Sequence, residues 1–168
     1  MTVVRPEQDR DIESIRWVNQ GAFETTAEAE LVDRLRDRDK LLVSLIAEWE
    51  GRTVGAIAFS RVILRVHPGL PGAGLGPVAV DPAFQRKGFG SLLVRAGLEK
   101  CRSIGCDFAV VLGHPEYYPR FGFIPAGRFG LHCAWQVPDG VFMAIEFRPG
   151  ALAGVSGLVA YEPEFDGV

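Results

Sequence analysis

The sequence predicts an α/β fold, because segments of strand and helix character alternate along the chain. A strand that ends at Val80 leads through a glycine-containing turn into a long helix, and a second apolar run follows at residues 107–112. A strand, crossover helix and strand unit of this kind places its two strands parallel in one sheet. Residues 41–49 and 52–66 form two further strands that meet at Glu50-Gly51, which indicates a hairpin.

Before the hairpin, the chain is expected to form one strand and two helices. Residues 2–5 are a short first strand, and residues 8–23 carry apolar side chains at near-helical spacing. Thr25 and Glu28 have the spacing of a capping box, which predicts the start of the second helix. The charged side chains of that helix lie on its other face and are explained as a solvated surface.

Glycine and proline dominate the stretch before the central strand. Gly72, Gly74 and Gly76 precede Pro77, which cannot donate a hydrogen bond to a neighbouring strand. Such residues inside a strand indicate an edge, a bulge or the close approach of a ligand or another backbone. We therefore expect a gap in the sheet at this strand.

The second half of the chain predicts a helix, an aromatic turn and further strands. The helix of residues 91–104 continues the glycine-containing turn and is capped by Gly105. Residues 115–121 form a turn or short helix, residues 141–147 form a strand, and the tail from Pro149 has enough apolar residues for one more edge strand. The helix side chains expected to face the sheet are Phe89, Leu92, Leu93, Ala96 and Cys101.

The composition and charge of the chain indicate which classes of protein it can belong to. The 168 residues are 48% hydrophobic and 23% charged, which fits one globular domain, with residues 148–168 as an extension packed on it. The net charge is −3 and no basic stripe with interleaved aromatics is present, so nucleic acid is not expected as a partner. No apolar run reaches the roughly 18 residues of a membrane span, so we expect no signal peptide, no membrane contact and a cytoplasmic location.

The chain contains three cysteines without a C-x-x-C pair: Cys101, Cys106 and Cys133. An odd set of this kind favours reduced thiols over a disulfide framework. His132 beside Cys133 raises the question of a zinc site. The spacing of these residues does not match the common zinc patterns, so no metal is expected.

The turn before the long helix has the features of a phosphate-binding site. Backbone N–H groups at a helix N-terminus have no carbonyl partner, and the helix macrodipole places partial positive charge there. Gly88 and Gly90 allow a ligand close to the main chain, and Arg86 and Lys87 add full positive charges. The turn therefore predicts an anion-binding site.

Several segments carry a resemblance to a known family. The run from Val78 to Gly90 with its following helix, and the Tyr-Pro-Arg-Phe-Gly-Phe segment at residues 118–123, resemble the GNAT superfamily of acyl-CoA-dependent N-acyltransferases. Its YhbS-like branch of predicted N-acetyltransferases is similar to this chain at residues 22–23, 28–32, 117–118 with 120–123, and 138–152. The similarity spans nearly the whole chain, and the position of Gln-x-x-Gly-x-Gly between strand and helix makes the combined motif specific.

The resemblance implies a GNAT fold: a central mixed sheet of about seven strands, splayed between its two central parallel strands, with about four helices. It implies acetyl-CoA as the cosubstrate and direct transfer of its acetyl group to a primary amine of a small molecule or peptide. No metal takes part in the implied reaction. A homodimer is compatible with the resemblance.

The resemblance also implies roles for individual residues. The turn would bind the pyrophosphate of acetyl-CoA largely through backbone amides, and the strand before it would hold the pantetheine arm. Tyr118 stands at the family position that protonates the leaving thiolate, and the N–H of Val78 is the candidate donor to the tetrahedral oxyanion. Without the resemblance, Tyr118 is better explained as a core aromatic. The implied acetyl-CoA-binding residues are Val78, Ala79, Val80, Gln85, Arg86, Lys87, Gly88, Phe89, Gly90 and Ser91.

The sequence departs from the family at the general base. Pro77 stands where many members have a Glu, and Val111 stands where they have an Asn. A primary amine with a pKa near 10.4 is neutral at pH 7 in about one molecule in 2,500, which costs about 4.6 kcal/mol, so the acceptor must lose a proton on the enzyme. We assign no base; the candidates are a water molecule, Glu24, Glu28, Glu30, Asp107, His114 and Glu116.

Both the acceptor and the activity have alternatives. The acceptor is a small metabolite, an antibiotic amine or a protein N-terminus; the acidic residues near position 28 suit a cationic amine but are explained equally well as solvated helix charges. The missing Glu at Pro77 also leaves the alternative of a non-catalytic acyl-CoA-binding sensor or interaction module. A dinucleotide-binding fold is disfavoured, because its third glycine and acidic ribose partner do not fall at the required spacing.

Overall fold

A nine-stranded mixed sheet forms the centre of the computed structural model, which describes residues 1–168. The strand order is β1-β2-β3-β4-β5-β8-β6, and β9 pairs with β3 and β7 beside this path. The strands are β1 (Thr2–Pro6), β2 (Leu41–Trp49), β3 (Arg52–Leu64), β4 (Gly72–Val80), β5 (Phe108–Leu112), β6 (Ile124–Pro125), β7 (Leu131–Cys133), β8 (Phe142–Glu146) and β9 (Gly157–Tyr161).

Three α-helices and five short 3-10 segments surround the sheet. The predicted α/β class is confirmed. The sheet has nine strands rather than about seven because it includes short strands, and there are three α-helices rather than about four, with 3-10 segments in addition. None of the helices is long and apolar enough to cross a bilayer. The α-helices are α1 (Ile12–Ala22), α2 (Ala27–Asp37) and α3 (Phe89–Ser103), and the 3-10 segments are Asp9–Asp11, Pro82–Phe84, Tyr118–Phe121, Ala126–Phe129 and Pro163–Phe165.

The predicted strand, helix and strand unit is confirmed. α3 connects β4 to β5, and the two strands pair in parallel from Gly72 opposite Phe108 to Leu75 opposite Val111. β5 is buried over Phe108, Ala109, Val110 and Val111, as its continuous apolar sequence predicts. On its other side β5 pairs antiparallel with β8.

The predicted gap lies between β4 and β5. β4 pairs with β3 as far as Val80, but its pairing with β5 ends at Leu75, so the two parallel strands diverge from Gly76 onward. β4 is a central strand, so the edge-strand interpretation of its glycines is wrong. A Cβ on Gly72 would lie 2.4 Å from the ring of Phe108, so glycine there lets an aromatic side chain cross the strand.

The sheet is covered on both faces. Leu93 of α3 packs in a cluster with Ile57 of β3, whereas Ile15 of α1 and Val32 of α2 pack in another cluster with Ala56. Adjacent strand residues point to opposite faces of a sheet. α3 therefore lies on one face of the sheet, and α1 and α2 lie on the other.

One helix-face prediction is wrong. Leu92 was expected to face the sheet, but it is 46% exposed. The buried stripe of α3 follows the four-residue spacing of Phe89, Leu93, Gly97 and Cys101, and Leu92 lies beside that stripe. The remaining residues expected to face inward are buried or packed against the core.

The start of α2 also differs from the prediction. The N-cap residue is Thr26 rather than Thr25, and neither side chain forms the capping box with Glu28. Instead, Ala27 N donates to the Thr25 hydroxyl at 3.2 Å, and the Thr26 hydroxyl donates to Glu30 at 3.0 Å. The carboxylate of Glu28 is therefore not used in capping.

The hairpin and the C-terminal strand agree with the prediction in outline. Glu50 and Gly51 have φ of 51° and 77°, the left-handed pair that a two-residue hairpin turn requires. β3 ends at Leu64 rather than at Val66. Near that end, β9 takes the place of β2 beside β3, with Tyr161 opposite Val62.

Candidate active site

The turn between β4 and α3 presents a row of backbone N–H groups without protein acceptors. The first helical hydrogen bond runs from Leu92 N to Gly88 O at 3.1 Å, and no N–H from Arg86 to Ser91 donates to a backbone carbonyl. Arg86 and Gly88 have φ of 64° and 90°. Successive N–H groups in alternating right-handed and left-handed conformations make concavities that bind anions, so the turn has the geometry of a phosphate cradle.

Side chains before the turn hold its shape. Ala83 N donates to Asp81 Oδ1 at 3.0 Å, and Arg52 pairs with the other carboxylate oxygen of Asp81 at 2.8 Å. Gln85 Nε2 donates to the carbonyl of Val80 at 3.0 Å. The side chain of Gln85 therefore braces the turn, while Arg86 and Lys87 are exposed beside it.

Tyr117 is a site residue that sequence reasoning missed. Its hydroxyl lies 3.0 Å from Ser91 Oγ in the first turn of α3, and a Cβ on Gly90 would lie 3.5 Å from the same hydroxyl. The Arg120 guanidinium covers the Tyr117 ring at 4.3 Å from its centroid. The aromatic segment after β5 thus contacts the N-terminus of α3. In the sequence, Tyr117 was noted only as part of the YhbS-like resemblance and was given no role in the site.

A cavity of about 590 Å³ lies where β4 and β5 diverge. Residues 75–78 of β4 and residues 111–114 at the end of β5 form two of its walls, and Glu28 and Leu31 of α2 form a third. Tyr118 also lines the cavity. Of the strand residues predicted to hold pantetheine, Val78 lines the cavity, whereas Ala79 and Val80 do not.

Tyr118 is both a core aromatic and a cavity residue. Its side chain packs edge-on against Tyr117 at 5.1 Å and against Phe123 at 5.9 Å between ring centroids. A Cβ on Gly113 would lie 2.2 Å from the Tyr118 ring, so this glycine makes room for it. Burial, and to a lesser extent the neighbouring Tyr117, raises the pKa of Tyr118 to about 12. The phenol therefore remains protonated at neutral pH.

The structure narrows the set of candidate bases. Pro77 and Val111 both line the cavity, and neither side chain can accept a proton. Of the six candidate side chains, Glu28 and His114 line the cavity. Glu30 accepts from Thr26 outside it. The others outside the cavity are Glu24 and Glu116, which are exposed, and Asp107, which pairs with Arg148 at 3.4 Å.

The cysteines form no disulfide. Cys101 and Cys106 are buried and Cys133 is half-buried. No group of three or more His, Cys, Asp or Glu side chains lies close enough together to hold a metal ion.

A sheet whose central parallel strands diverge beside an N–H-lined turn at a helix N-terminus is the architecture implied for an acyl-CoA-dependent acyltransferase. Residues 10–123 match the model of the Acetyltransferase (GNAT) family. The chain therefore belongs to the GNAT acetyltransferase family.

Relatives place the chain near the YhbS branch of this family. It is 35% identical to the uncharacterized N-acetyltransferase YhbS of Escherichia coli strain K12 over 165 residues, which cover 98% of each chain. It is 39% identical to the uncharacterized N-acetyltransferase YjhQ of the same strain over 133 residues, 77% of this chain and 74% of YjhQ. The resemblance to the YhbS-like branch is confirmed.

Two crystal structures have the same fold over nearly the whole chain. YhbS from Escherichia coli in complex with CoA superposes with a TM-score of 0.93 at 35% identity, covering 98% of this chain and 91% of that one. A GNAT family acetyltransferase from Brucella melitensis in complex with acetyl-CoA superposes with a TM-score of 0.81, also at 35% identity, over 99% of each chain.

Proposed function

We propose that this protein transfers an acetyl group from acetyl-CoA directly to a primary amine. The observation that carries the proposal is the row of unpaired N–H groups from Arg86 to Ser91, next to a strand that leaves its β5 neighbour and opens the cavity. Membership of the GNAT family and the CoA and acetyl-CoA complexes of the two similar structures support it. Residues 1–168 would act as one GNAT domain.

The cosubstrate would bind along β4 and the turn. The pyrophosphate oxygens would accept from the turn N–H groups, with Arg86 and Lys87 adding positive charge. The edge of β4 that faces β5 is unpaired from Gly76 to Val80, so the amides of the pantetheine arm could pair with it as an added strand. This arrangement would direct the thioester towards the cavity and Tyr118.

The reaction would proceed by attack of the neutral amine nitrogen on the thioester carbonyl carbon. The new C–N bond forms a tetrahedral intermediate, whose oxyanion would accept from Val78 N–H. The C–S bond then breaks, and the thiolate takes a proton. The acceptor, which starts as an ammonium ion, loses two protons in all, so the products are an amide, CoA thiol and one net proton.

Tyr118 would assist the leaving group without being indispensable. A thiol has a pKa of about 8.5, so a phenol with a pKa of about 12 is the weaker acid by about 3.5 pK units, or about 5 kcal/mol. Complete proton transfer from the phenol to the departing thiolate is therefore unfavourable. The expected role is a hydrogen bond from the phenol to sulfur that strengthens as negative charge develops.

The proposal is tested by acceptor-dependent release of free thiol from acetyl-CoA. A panel of small amines and peptides is incubated with the enzyme and acetyl-CoA, and thiol and the acetylated product are measured together. We expect equal amounts of thiol and amide with at least one amine. Tight CoA binding without acceptor-dependent thiol release would contradict acetyl transfer and favour a binding module.

A further inference from the structure

Glu28 places a carboxylate in the cavity wall that the protein itself does not satisfy. Its Oε2 atom is buried and has no hydrogen-bond partner. Burying a polar group without a partner costs free energy, and native proteins leave few such groups. Glu28 lines the cavity where β4 and β5 diverge, so a ligand in that cavity is the natural partner for its carboxylate.

The start of α2 explains why this side chain faces the cavity. Thr26 is the N-cap residue, but its hydroxyl donates to the Glu30 carboxylate rather than capping a backbone N–H, and Glu28 is not held by the helix end. Leu31, three residues further along, lines the same cavity and is 2% exposed. Residues three apart share a helix face, and the packing of Leu31 therefore directs Glu28 to the cavity.

Aromatic side chains from the C-terminal part of the chain complete the wall. Tyr161 packs against Trp135 at 5.3 Å and against Phe165 at 5.1 Å between ring centroids, and all three line the cavity. The Tyr161 hydroxyl is a second buried polar atom without a hydrogen-bond partner. Burial raises the pKa of Tyr161, so the hydroxyl is a neutral group that can donate or accept.

The charge of the cavity favours a cation. No Lys or Arg side chain lines it, and His114 at its rim is exposed. A carboxylate forms strong charge-assisted hydrogen bonds with an ammonium group, and aromatic rings attract cations. The remaining surface is mostly apolar, because it is formed by side chains such as Phe23, Leu112 and Val137.

We propose that Glu28 binds the ammonium group of the acceptor and accepts its proton, and that the acceptor is a primary amine with an apolar body of about the size of an aromatic ring. This inference rests on the proposed acetyl transfer. One N–H bond of the ammonium ion breaks and its proton passes to the Glu28 carboxylate. The freed lone pair then attacks the thioester carbon. After the C–N bond has formed, the second proton passes from nitrogen to the departing thiolate and Glu28 releases its proton to solvent, which leaves the amide, CoA thiol and one net proton.

The size of the cavity agrees with such an acceptor. Ligand pockets for small molecules have volumes of roughly 300 to 1,000 Å³. The cavity of about 590 Å³ lies within this range, and residues 75–78 of β4, where the thioester is expected, form one of its walls, so the acceptor and the acetyl group share this space. An extended polyamine or a charged peptide would find one side-chain carboxylate, that of Glu28, and few other polar side chains there.

Binding without acetyl-CoA tests the inference separately from catalysis. Three probes are titrated calorimetrically into the full chain: 2-phenylethylamine, its neutral analogue 2-phenylethanol, and ethylamine, which lacks the apolar body. We expect 2-phenylethylamine to bind at least about tenfold more tightly than either of the others. Equal affinity for all three, or tighter binding of ethylamine, would overturn the inference.

The variant Glu28→Gln and the control Glu30→Gln test whether the Glu28 carboxylate is the group that binds the amine. Glu28→Gln should weaken 2-phenylethylamine binding at least about tenfold and leave 2-phenylethanol binding within about twofold. Glu30→Gln, on the same helix turn but outside the cavity, should change neither. Because Glu28 forms no hydrogen bond or ion pair within the protein, Glu28→Gln should melt no lower than wild type. A clear fall in Tm would show a structural role and overturn the inference.

Turnover separates this inference from the proposed function. With saturating acetyl-CoA, Glu28→Gln should lower kcat/KM for 2-phenylethylamine by at least about a hundredfold while the Kd of acetyl-CoA stays unchanged. Transfer that prefers polyamines or peptides and is independent of Glu28 would overturn the inference but leave acetyl transfer standing. Glu28-dependent amine binding without any transfer would contradict the proposed function and leave the amine site standing.

Discussion

Two glycines at the ends of α3 have similar positive φ angles but different expected roles. Gly88 precedes the helix with φ of 90°, Gly105 follows it with φ of 100°, and a Cβ on either would meet no atom within 4 Å. Aspartate is therefore equally strained at both positions, but at Gly88 its carboxylate stands in the row of N–H groups. The pair separates backbone strain from loss of the anion site.

The first prediction concerns these two variants. Gly88→Asp should raise the Kd of acetyl-CoA at least about tenfold, because its charge competes with the pyrophosphate. Gly105→Asp should leave the Kd within about twofold. Calorimetric titration of both purified variants checks this. Similar affinities for the two variants would place the cosubstrate phosphates elsewhere.

Two neighbouring tyrosines offer a second comparison at the residue scale. Tyr118→Phe should lower kcat by about tenfold to a hundredfold and leave the Kd of acetyl-CoA unchanged, because the phenol interacts with sulfur only as the C–S bond breaks. Tyr117→Phe removes the hydroxyl that contacts Ser91, so it should weaken acetyl-CoA binding more than it lowers kcat. Steady-state kinetics and direct titration distinguish the two. Equal losses of kcat and affinity in Tyr118→Phe would assign it a packing role.

At the scale of elements, Glu164 binds the C-terminal 3-10 segment Pro163–Phe165 to α2 and to the residues that follow it. Its buried carboxylate accepts from Arg38 at 2.8 Å and from Lys40 at 2.9 Å, and Arg34 donates to its main-chain carbonyl at 3.0 Å. Phe165 follows directly and lines the cavity. The ion pairs of Glu164 thus hold Phe165, one of the aromatic side chains that line the cavity, against the helix that carries Glu28.

These contacts predict a stability difference that depends on pH. Hydrogen bonds from Arg38 and then Lys40 lower the pKa of Glu164 to about 2, from an ordinary value of 4.5. A lowered pKa means that the stabilisation is complete above about pH 4.5 and is lost as the pH falls towards 2. Glu164→Gln should therefore cost about 1 to 2 kcal/mol at pH 7, since Arg38 and Lys40 are partly solvated, and progressively less below pH 4.5.

Thermal unfolding of Glu164→Gln and wild type between pH 2 and 7 measures this difference. Glu162→Gln is the matched control, because Glu162 pairs with the same Lys40 at 3.1 Å but is more exposed. It should lower Tm only slightly at every pH. A difference between Glu164→Gln and wild type that stays constant down to pH 2 would show that the ion pairs do not hold this segment.

Local sequence patterns predicted most of the elements near the cosubstrate site. The glycines before Pro77 indicated the gap, and the turn at Gly88 indicated the N–H row, because these features depend on backbone chemistry within a few residues. The start of α2 was predicted incorrectly, because Thr25 and Thr26 both fit a cap and only the packing of the helix selects between them.

At the scale of the whole molecule, the acceptor side depends on contacts between distant parts of the chain. The match to the family model ends at residue 123 of this chain, yet Trp135, Tyr161 and Phe165 also line the cavity with Glu28. No periodicity indicates that β9 pairs with β3 or brings these aromatics together. The sequence did not identify the general base for the same reason, since Glu28 and Glu30 differ only in the direction that α2 gives their side chains.

The central claim is that the turn at Gly88 and the opening between β4 and β5 form one acetyl-CoA site. A crystal structure of this protein with CoA tests it most directly. We predict that the pyrophosphate oxygens accept from N–H groups between Arg86 and Ser91 at about 2.9 Å, and that the thiol lies in the cavity within about 4 Å of the Tyr118 hydroxyl. Phosphates bound away from this turn, or a thiol outside the cavity, would contradict the claim.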